Sequence, residues 1–242
     1  DRIKISQKVI PAIPVRTFQA TLVQLDKPLS VLVDRPSDAV PGRGGIKVHL
    51  KNRLADELAG VREYMSFYPY TCLEQLLSQA VALREEGRWQ GVMASLPGYL
   101  DRDGLAKYFP SMYEGSDVLT SYLLALAEEA GWTVPEEPRG RMIKGLRGFV
   151  EGRVIRNSEL PTADVASRKV AALDALTRAG SEVDAQMLAS ISLEPNLWPT
   201  SAVLDWMSLL SRNANLPDRD NRLAQAEQII RSRLNFQGTV VG

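Results

Sequence analysis

The chain has 242 residues, enough to bury a sizeable core in one or two domains. Its 29 basic and 29 acidic residues cancel and form no basic stripe, so neither nucleic acid nor a membrane surface is indicated as a partner. No apolar run approaches the length of a membrane span, and a single cysteine does not define a compartment. Because the chain starts at Asp1 without methionine and ends on an apolar run over residues 239–242, we expect it to be a piece of a longer protein.

The first part of the chain has the periodicity of β-strands. Short β-leaning runs cover residues 17–25 and 29–33, and turn residues separate them. A glycine-rich segment at 42–45 precedes a further run at 46–50, but it lacks the Lys-Ser/Thr pair and the following helix of a phosphate-binding loop. We therefore predict a β-strand segment over residues 1–49.

From about residue 50 onward the apolar spacing predicts helices. One apolar stripe runs through Leu54, Leu58, Val61, Tyr64 and Met65, and a second begins at Cys72 and stops at Gly87. Further predicted helices cover residues 89–100, 117–129, 136–154, 162–180, 184–191, 200–212 and 218–234, with Asp117 as a cap and Gly131 and Gly180 as stops. Short polar turns between these helices indicate stacked α-hairpins, without the fixed period of a solenoid.

Cys72, the only cysteine, stands three residues before Gln75. Residues at this spacing share one helical face, with Cβ atoms about 5–6 Å apart, so the thiol can reach the carboxamide carbon and displace ammonia to form an internal thioester. A helix N-terminus favours the thiolate, and the rings of Phe67, Tyr68 and Tyr70 are suited to keeping water away. On spacing alone, an inert buried cysteine on an amphipathic helix remains the alternative.

A longer motif surrounds this pair: Tyr68-Pro69-Tyr70-Thr71-Cys72-Leu73-Glu74-Gln75. It resembles the thioester motif of bacterial α2-macroglobulins, members of the wider α2-macroglobulin and complement family, and departs from it where Thr71 replaces the usual glycine. A second, weaker resemblance lies at Leu119-Thr120-Ser121-Tyr122-Leu123-Leu124, where Val118 stands in place of the family's tryptophan. Because glycine tolerates backbone angles that threonine does not, Thr71 is expected to tighten the turn before Cys72 or to narrow access to it.

The resemblance implies a mainly α fold, an α/α-toroid of helical hairpins inserted into a β-sandwich of CUB type. On this reading residues 1–49 are the leading CUB-like β segment. Residues 50–242 are then the thioester-containing toroid domain, with fewer helices than a complete double ring.

The resemblance also implies a function. A bacterial α2-macroglobulin is a broad-spectrum protease inhibitor whose bait region is cut by the attacking protease, after which a protease lysine attacks the Gln75 carbonyl and Cys72 leaves. The thioester is then a single-use acyl donor rather than an enzyme site, with no catalytic residue, metal or cofactor. Tyr68 and Tyr70 are expected to shield the bond, and Glu74 to orient the Gln75 amide or cap the helix. The implied partners are attacking proteases and the other domains of the same polypeptide.

Other candidate residues have simpler interpretations. His49, the only histidine, is expected to be a strand residue, and the downstream histidine that complement relatives use to transfer to hydroxyls is missing, which favours amine acceptors. One histidine and one cysteine make no zinc site. Trp89, Trp132, Trp198 and Trp206 are expected to pack in the core or between hairpins, and residues 101–104 to form a turn.

Two other function classes remain open. A non-covalent, macroglobulin-like scaffold with an unused cysteine is compatible with Thr71. An enzyme built on an α/α-toroid requires paired carboxylates or an Asp-rich metal motif, and neither stands out. The resemblance further implies a periplasmic protein involved in bacterial defence or virulence, and it is compatible with an inner-membrane lipid anchor outside this chain.

Overall fold

The computed structural model describes residues 23–50, 59–158, 163–234, 236–237 and 240–241. The helices of this part are α1 Ala59–Ser66, α2 Leu73–Leu83, α3 Glu86–Tyr99, α4 Asp117–Ala130, α5 Glu136–Val150, α6 Ala163–Arg178, α7 Ala185–Ala189, α8 Thr200–Arg212 and α9 Arg219–Arg233. A 3-10 turn at Pro195–Leu197 precedes α8, and β1 Phe236–Gln237 pairs antiparallel with β2 Val240–Val241. The predicted mainly α fold class is confirmed.

The chain divides into two compact units, and all nine of these helices lie in the unit Glu57–Arg233. Within it, α2, α4, α6 and α8 pack side by side in that order and form one layer. Helix α3 packs on α2, α5 on α4 and α6, and α9 on α8, which makes a second layer. Helical hairpins stacked in two layers confirm the hairpins that the sequence predicts and form the toroid-like arrangement that the family resemblance implies.

Helices α4 and α6 run parallel to each other. Arg168, in the first half of α6, pairs with Asp117 at the start of α4, and Arg178 at the end of α6 pairs with Glu128 near the end of α4. The interior between them is apolar, and Val170, Leu173 and Leu176 of α6 are fully buried. Burying an aliphatic side chain of this size contributes about 1.5–3 kcal/mol, so α6 anchors the layer.

Several helix ends differ from the sequence prediction. Helix α2 ends at Arg84, which adopts the left-handed conformation at φ 58°, and not at Gly87, which lies inside α3. The reason is a C-terminal closure in which the Glu85 N–H donates to the Ala80 carbonyl at 2.9 Å. Ser116, rather than Asp117, caps α4, since the Ser116 side chain accepts the Leu119 N–H at 3.2 Å.

Helix α5 ends at Val150, four residues before its predicted end at Val154. The Gly148 carbonyl accepts the N–H groups of both Arg153 and Val154, at 2.8 and 2.9 Å, which turns the chain away from the helix axis. Gly152 supports this turn with a φ of 78°, in the left-handed region that favours glycine. The predicted helix over residues 200–212 is confirmed at both ends.

The structure corrects the strand predictions that fall on described residues. Residues 23–50 contain no strand, so the predicted strands at 29–33 and 46–50 are wrong, as is the placement of His49 in a strand. Their apolar side chains are exposed, for example Leu32 at 83 % and Val48 at 76 %. An alternating run forms a strand only with a partner ladder, and the described residues of this segment supply none. Residues 17–22, Leu54, Leu58 and Thr162 lie outside the described residues.

The tryptophans pack as predicted. Trp89 is buried in the core, stacks on Trp132 with ring centroids 5.6 Å apart, and donates its indole N–H to the Thr133 carbonyl at 2.9 Å. Trp198 and Trp206, both buried, meet edge to face at 5.6 Å. These pairs join α3 to the turn before α5 and the 3-10 turn to α8, as aromatic pairs between hairpins do.

Candidate functional site

Cys72 is the N-cap residue of α2, as the motif predicts, and it is buried, with 6 % of its surface exposed. Its backbone is extended (φ −69°, ψ 161°), and its carbonyl accepts the Leu76 N–H at 3.0 Å. The next N–H, of Leu73, donates to the Tyr108 carbonyl at 2.9 Å. Cys72 therefore lies at the N-terminal, positive end of the α2 dipole.

The side chains of Cys72 and Gln75 meet across the first turn of α2. The Cys72 N–H donates to Gln75 Oε1 at 3.2 Å, and the Cys72 sulfur accepts the Gln75 N–H, which makes a reciprocal capping box. The carboxamide of Gln75 is thus bent back over the residue that carries the thiol. This arrangement brings a nucleophile and an acyl carbon together on one turn, as the spacing predicts.

Tyr68 lies beside this turn, and it is half-buried. Desolvation raises the pKa of Tyr68, as do Tyr64, Glu74 and Tyr70, while the nearby Gln75 side chain acts in the opposite direction. The phenol therefore stays protonated and neutral at neutral pH.

Two neighbouring rings hold Tyr68 in place. The ring of Tyr64, from α1, lies 5.3 Å from that of Tyr68 at a tilt of 53°. The ring of Tyr70 lies 5.2 Å away on an edge, at 69°. Tyr70 itself is 59 % exposed, so it supports the Tyr68 ring and is accessible from outside. An open groove of about 350 Å³ adjoins this cluster, lined by Gly60, Glu63, Tyr64, Phe67, Tyr68 and Pro69.

Gln79 is a residue of this site that the sequence reasoning missed. Its Nε2 donates to the Tyr68 carbonyl at 2.7 Å, and the residue is only 7 % exposed. Gln79 follows Gln75 by one helical turn and therefore shares its face of α2. That spacing was visible in the sequence, but a partner eleven residues earlier on a loop was not.

Helix α4 brings the second motif to the same helix. The Tyr122 and Ser78 hydroxyls lie 2.8 Å apart, and Ser78 in turn donates to the Glu74 carbonyl at 2.7 Å. Burial raises the pKa of Tyr122, with a further contribution from Glu74, and Glu74 also raises that of Tyr68. The Glu74 carboxylate thus acts electrostatically on two tyrosines, one from each motif.

The loop that carries Tyr108 is fixed by Asp101. One oxygen of its buried carboxylate accepts the N–H groups of Asp103 and Leu105, both at 2.9 Å. The other accepts the Gly115 N–H at 2.7 Å and Arg156 Nη2 at 2.5 Å. Burial opposes ionisation, but these hydrogen bonds and Arg156 hold the pKa of Asp101 below its usual range. The predicted turn at 101–104 is confirmed, and its role is to shape the loop against the start of α2.

Thr71 occupies the one motif position that departs from the family. It is exposed, and its φ is not in the left-handed region, because Arg84 and Asp218 are the non-glycine residues with positive φ among those described. Glycine is therefore not required at this position by the backbone found here. The entry to α2 is compatible with threonine.

Two kinds of feature are absent from the described residues, a metal-binding cluster and a membrane-spanning helix. No group of three or more His, Cys, Asp and Glu side chains is arranged there to hold a metal ion. None of the helices described combines the length and apolarity needed to cross a membrane. His49 is exposed and belongs to the unit that contains residues 1–56, apart from the helical unit.

The helical unit is a two-layered, toroid-like array of α-hairpins, and Cys72 and Gln75 are hydrogen-bonded to each other at the start of α2. Two solved structures have a similar fold. One is native alpha-2-macroglobulin from Escherichia coli spanning domain MG7 to the C-terminus, with TM-score 0.59, 16 % identity, 70 % of this chain and 30 % of that chain covered.

Another is the native conformation of E. coli alpha-2-macroglobulin, with TM-score 0.57, 19 % identity, 71 % of this chain and 12 % of that chain covered. No protein-family model matches the chain. No curated protein matches it either. At these identities the likeness shows the fold: the chain has an alpha-2-macroglobulin-like fold, which confirms the resemblance predicted from the motif. The chain spans less than a third of each similar structure.

Proposed function

We propose that this chain carries an internal thioester between Cys72 and Gln75 and forms part of a covalent protease trap. The observation that carries the proposal is the reciprocal contact between these two residues at the start of α2. It occurs in a fold shared with bacterial alpha-2-macroglobulin. The short span of the chain relative to those structures makes the trap a property of a longer polypeptide.

The chemistry is a pair of acyl transfers. In the first, the Cys72 sulfur bonds to the Gln75 carboxamide carbon, and the amide nitrogen leaves as ammonia with the thiol proton. In the second, a lysine amine of the attacking protease bonds to the same carbon, and the sulfur leaves and regains a proton as the Cys72 thiol. The product is an isopeptide bond at Gln75, so each chain reacts once and does not turn over.

The surrounding residues supply protection and orientation. Tyr68 covers the bond, and Tyr70 supports the Tyr68 ring from its edge. The positive end of α2 stabilises the departing thiolate of Cys72. Glu74 orients the turn through its backbone contact with Ser78 and favours an approaching ammonium group by its charge. Amines are the expected acceptors, since the only histidine of the sequence precedes the motif.

The wider setting follows from the same proposal. The partners are proteases that cut a bait region outside this chain, together with the other domains of the polypeptide that respond to the cut. We place the parent protein in the periplasm, in a defence or virulence role. An inner-membrane lipid anchor outside this chain is compatible with that placement.

Intact mass spectrometry of the native protein, with a thiol assay, tests the proposal. We expect a mass lower than the sequence mass by one ammonia and no titratable thiol. Methylamine should then add to Gln75 and release the Cys72 thiol. Cys72→Ser is the matched control, and it should show the full sequence mass and no reaction with methylamine. A wild-type protein of full mass with a methylamine-insensitive thiol would refute the thioester.

A non-covalent scaffold is the second candidate, and the capping box favours it. Cys72 and Gln75 already satisfy one another's backbone N–H groups at the start of α2, which is a structural role that needs no thioester. On this alternative the full-mass outcome is expected. Replacing Gln75 with alanine would then reduce stability by about 1 kcal/mol, as for a lost cap, without a change in protease binding.

A further inference from the structure

Gln79 holds the backbone of Tyr68, and the Gln75 side chain lies near its phenol. The Gln79 Nε2 donates to the Tyr68 carbonyl at 2.7 Å, and Gln75 is close enough to the Tyr68 hydroxyl to oppose the rise in its pKa. Both glutamines belong to α2, one turn apart. The loop before α2 is thereby tied to the helix that carries the candidate acyl group.

The backbone of Tyr68 makes one further hydrogen bond among the described residues, and it is weak. The Tyr68 N–H donates to the Met65 carbonyl at 3.4 Å, which is a long bond. Phe67, Pro69 and Tyr70 are exposed. The Gln79 side chain, in contrast, is buried, so its hydrogen bond is protected from competition by water. The Tyr68 carbonyl is therefore held by the Gln79 side chain rather than by hydrogen bonds within its own loop.

We propose that Gln79 is a positioning residue that keeps Tyr68 closed over Cys72 and Gln75 and so sets how fast small nucleophiles and electrophiles reach them. The proposal rests on the proposed function for its biological meaning, since a slow background reaction is what a single-use thioester requires. The inference can be tested with or without the thioester, because Gln79 holds Tyr68 through a hydrogen bond that does not involve the Cys72 sulfur.

Two nearly isosteric variants remove the donor. Gln79→Met keeps the length and burial of the side chain but cannot donate to the Tyr68 carbonyl. Gln79→Glu cannot donate while ionised but can donate when protonated. Gln90→Met, at an exposed position of α3, is the matched control for an added methionine. Circular dichroism and thermal unfolding identify any variant that does not fold.

The first readout is the rate of methylamine incorporation in the native protein, followed by intact mass. If the thioester is present, Gln79→Met should react roughly two- to tenfold faster than wild type, the range expected when one ordinary hydrogen bond no longer holds the cover closed. Gln90→Met should react like wild type. A Gln79→Met protein that carries the thioester and reacts at the wild-type rate overturns the proposal.

The second readout separates this inference from the thioester itself. If the wild-type protein has full mass, the rate of Cys72 alkylation by iodoacetamide replaces methylamine, with the same expected ratio between Gln79→Met and wild type. Equal alkylation rates overturn the positioning role, and faster alkylation supports it even though the proposed function has failed.

Gln79→Glu adds a test that a general loss of packing cannot imitate. At neutral pH it should behave like Gln79→Met. Its rate, divided by the wild-type rate at the same pH, should fall towards one as the carboxyl is protonated and donates to the Tyr68 carbonyl. A ratio independent of pH would count against the hydrogen bond as the cause.

Discussion

The hydroxyl groups of Ser78 and Tyr122 lie 2.8 Å apart and join α2 to α4 one turn beyond the Cys72–Gln75 pair. Because Ser78 donates its proton to the Glu74 carbonyl, Tyr122 is the donor in the bond between them. The helix that carries the cysteine motif is thus held by the helix that carries the second motif. Two sequence segments separated by 44 residues meet at one hydrogen bond.

Replacing Tyr122 with phenylalanine should weaken this link. The ring remains packed, and the loss is one partly buried hydrogen bond, so we expect a fall of about 0.5–1.5 kcal/mol in the free energy of unfolding. Urea denaturation measures it. Tyr113→Phe, at a 79 % exposed position, is the matched control and should be neutral. A Tyr122→Phe protein as stable as the control would mean that the bond does not hold α2 to α4.

Replacing Tyr68 should speed the loss of the candidate thioester, and the increase in rate should depend on whether the ring is kept. Tyr68→Gly removes the ring and should give the fastest loss of thioester, whereas Tyr68→Phe keeps the ring and removes only the hydroxyl group. We expect Phe to lie between wild type and Gly, closer to wild type if shielding from water is the main effect. The time course of intact mass at neutral pH measures all three. Identical rates in all three proteins would remove the assigned role of Tyr68.

Replacing Asp101 with asparagine should be strongly destabilising. The change leaves Arg156, whose side chain is 8 % exposed, without its closest carboxylate, and breaking a buried pair of this kind costs about 3–5 kcal/mol. Asp103→Asn, at a more exposed partner of the same arginine, should cost much less. Chemical denaturation compares the two. Equal losses of unfolding free energy in the two variants would show that the Asp101–Arg156 pair stabilises the protein no more than the Asp103–Arg156 pair.

The Asp101 carboxylate also makes the free energy of unfolding depend on pH in acid. Since the pKa of Asp101 is lower in the folded protein than the ordinary value of 3.8, its contribution to stability is present above that value and is lost as pH falls below it. Asp101→Asn should therefore be less stable than wild type at pH 7, with a difference that narrows in acid. A constant difference between pH 7 and strong acid would contradict this linkage.

The contribution of Asp205 to stability should depend on pH in the opposite sense to that of Asp101. Burial, together with the neighbouring Asp174 and Glu129, raises its pKa to about 6, and Arg178 offsets this only in part. The folded protein then holds a proton that the unfolded chain gives up above its ordinary value of 3.8. Stability from Asp205 is accordingly full below 3.8 and is lost as pH rises through about 6.

Asp205→Asn should therefore stabilise the protein at pH 7.5 by roughly 1–3 kcal/mol and have little effect near pH 4. The asparagine amide also brings a donor near Asp174, whose Oδ1 has no hydrogen-bond partner within the described ranges. Asp220→Asn, at an exposed position of α9, is the control. Urea unfolding at the two pH values gives the comparison, and a destabilised Asp205→Asn protein at pH 7.5 would refute the assignment.

Most of the helical layout was predictable. The helix over 200–212 and the left-handed glycines at 131 and 180 follow from apolar spacing and cap chemistry, which act within a few residues. The predicted ends of α2 and α5 were wrong. Both helices end where backbone N–H groups bond to the Ala80 and Gly148 carbonyls, and such backbone bonds give little signal in the residue types. Residues 29–33 and 46–50 do not form the predicted strands, because an alternating apolar pattern forms a strand only together with a paired neighbouring strand.

At the candidate site, the start of α2 at Cys72 and the proximity of Gln75 could also be predicted from the sequence. Three residues of helix bring the two side chains together. Their chemical role as a thioester stays a prediction, as does the shielding role of Tyr68 and Tyr70. What the structure adds is a set of supports, Gln79, Ser78 and Tyr108, none of which belongs to the motif.

The amino-acid sequence by itself determined the features that depend on near neighbours: the helical class, the positions of most caps, and a thiol and a carboxamide on one turn. The tertiary structure decided which distant groups hold that turn. Gln79 meets the Tyr68 carbonyl, Tyr122 meets Ser78, and Asp101 meets Arg156 across 55 residues, because side-chain packing between layers, rather than sequence spacing, selects those partners. The candidate pair Cys72 and Gln75 was therefore identified from near neighbours in the chain, whereas the residues that hold the surrounding segments are neighbours only in space.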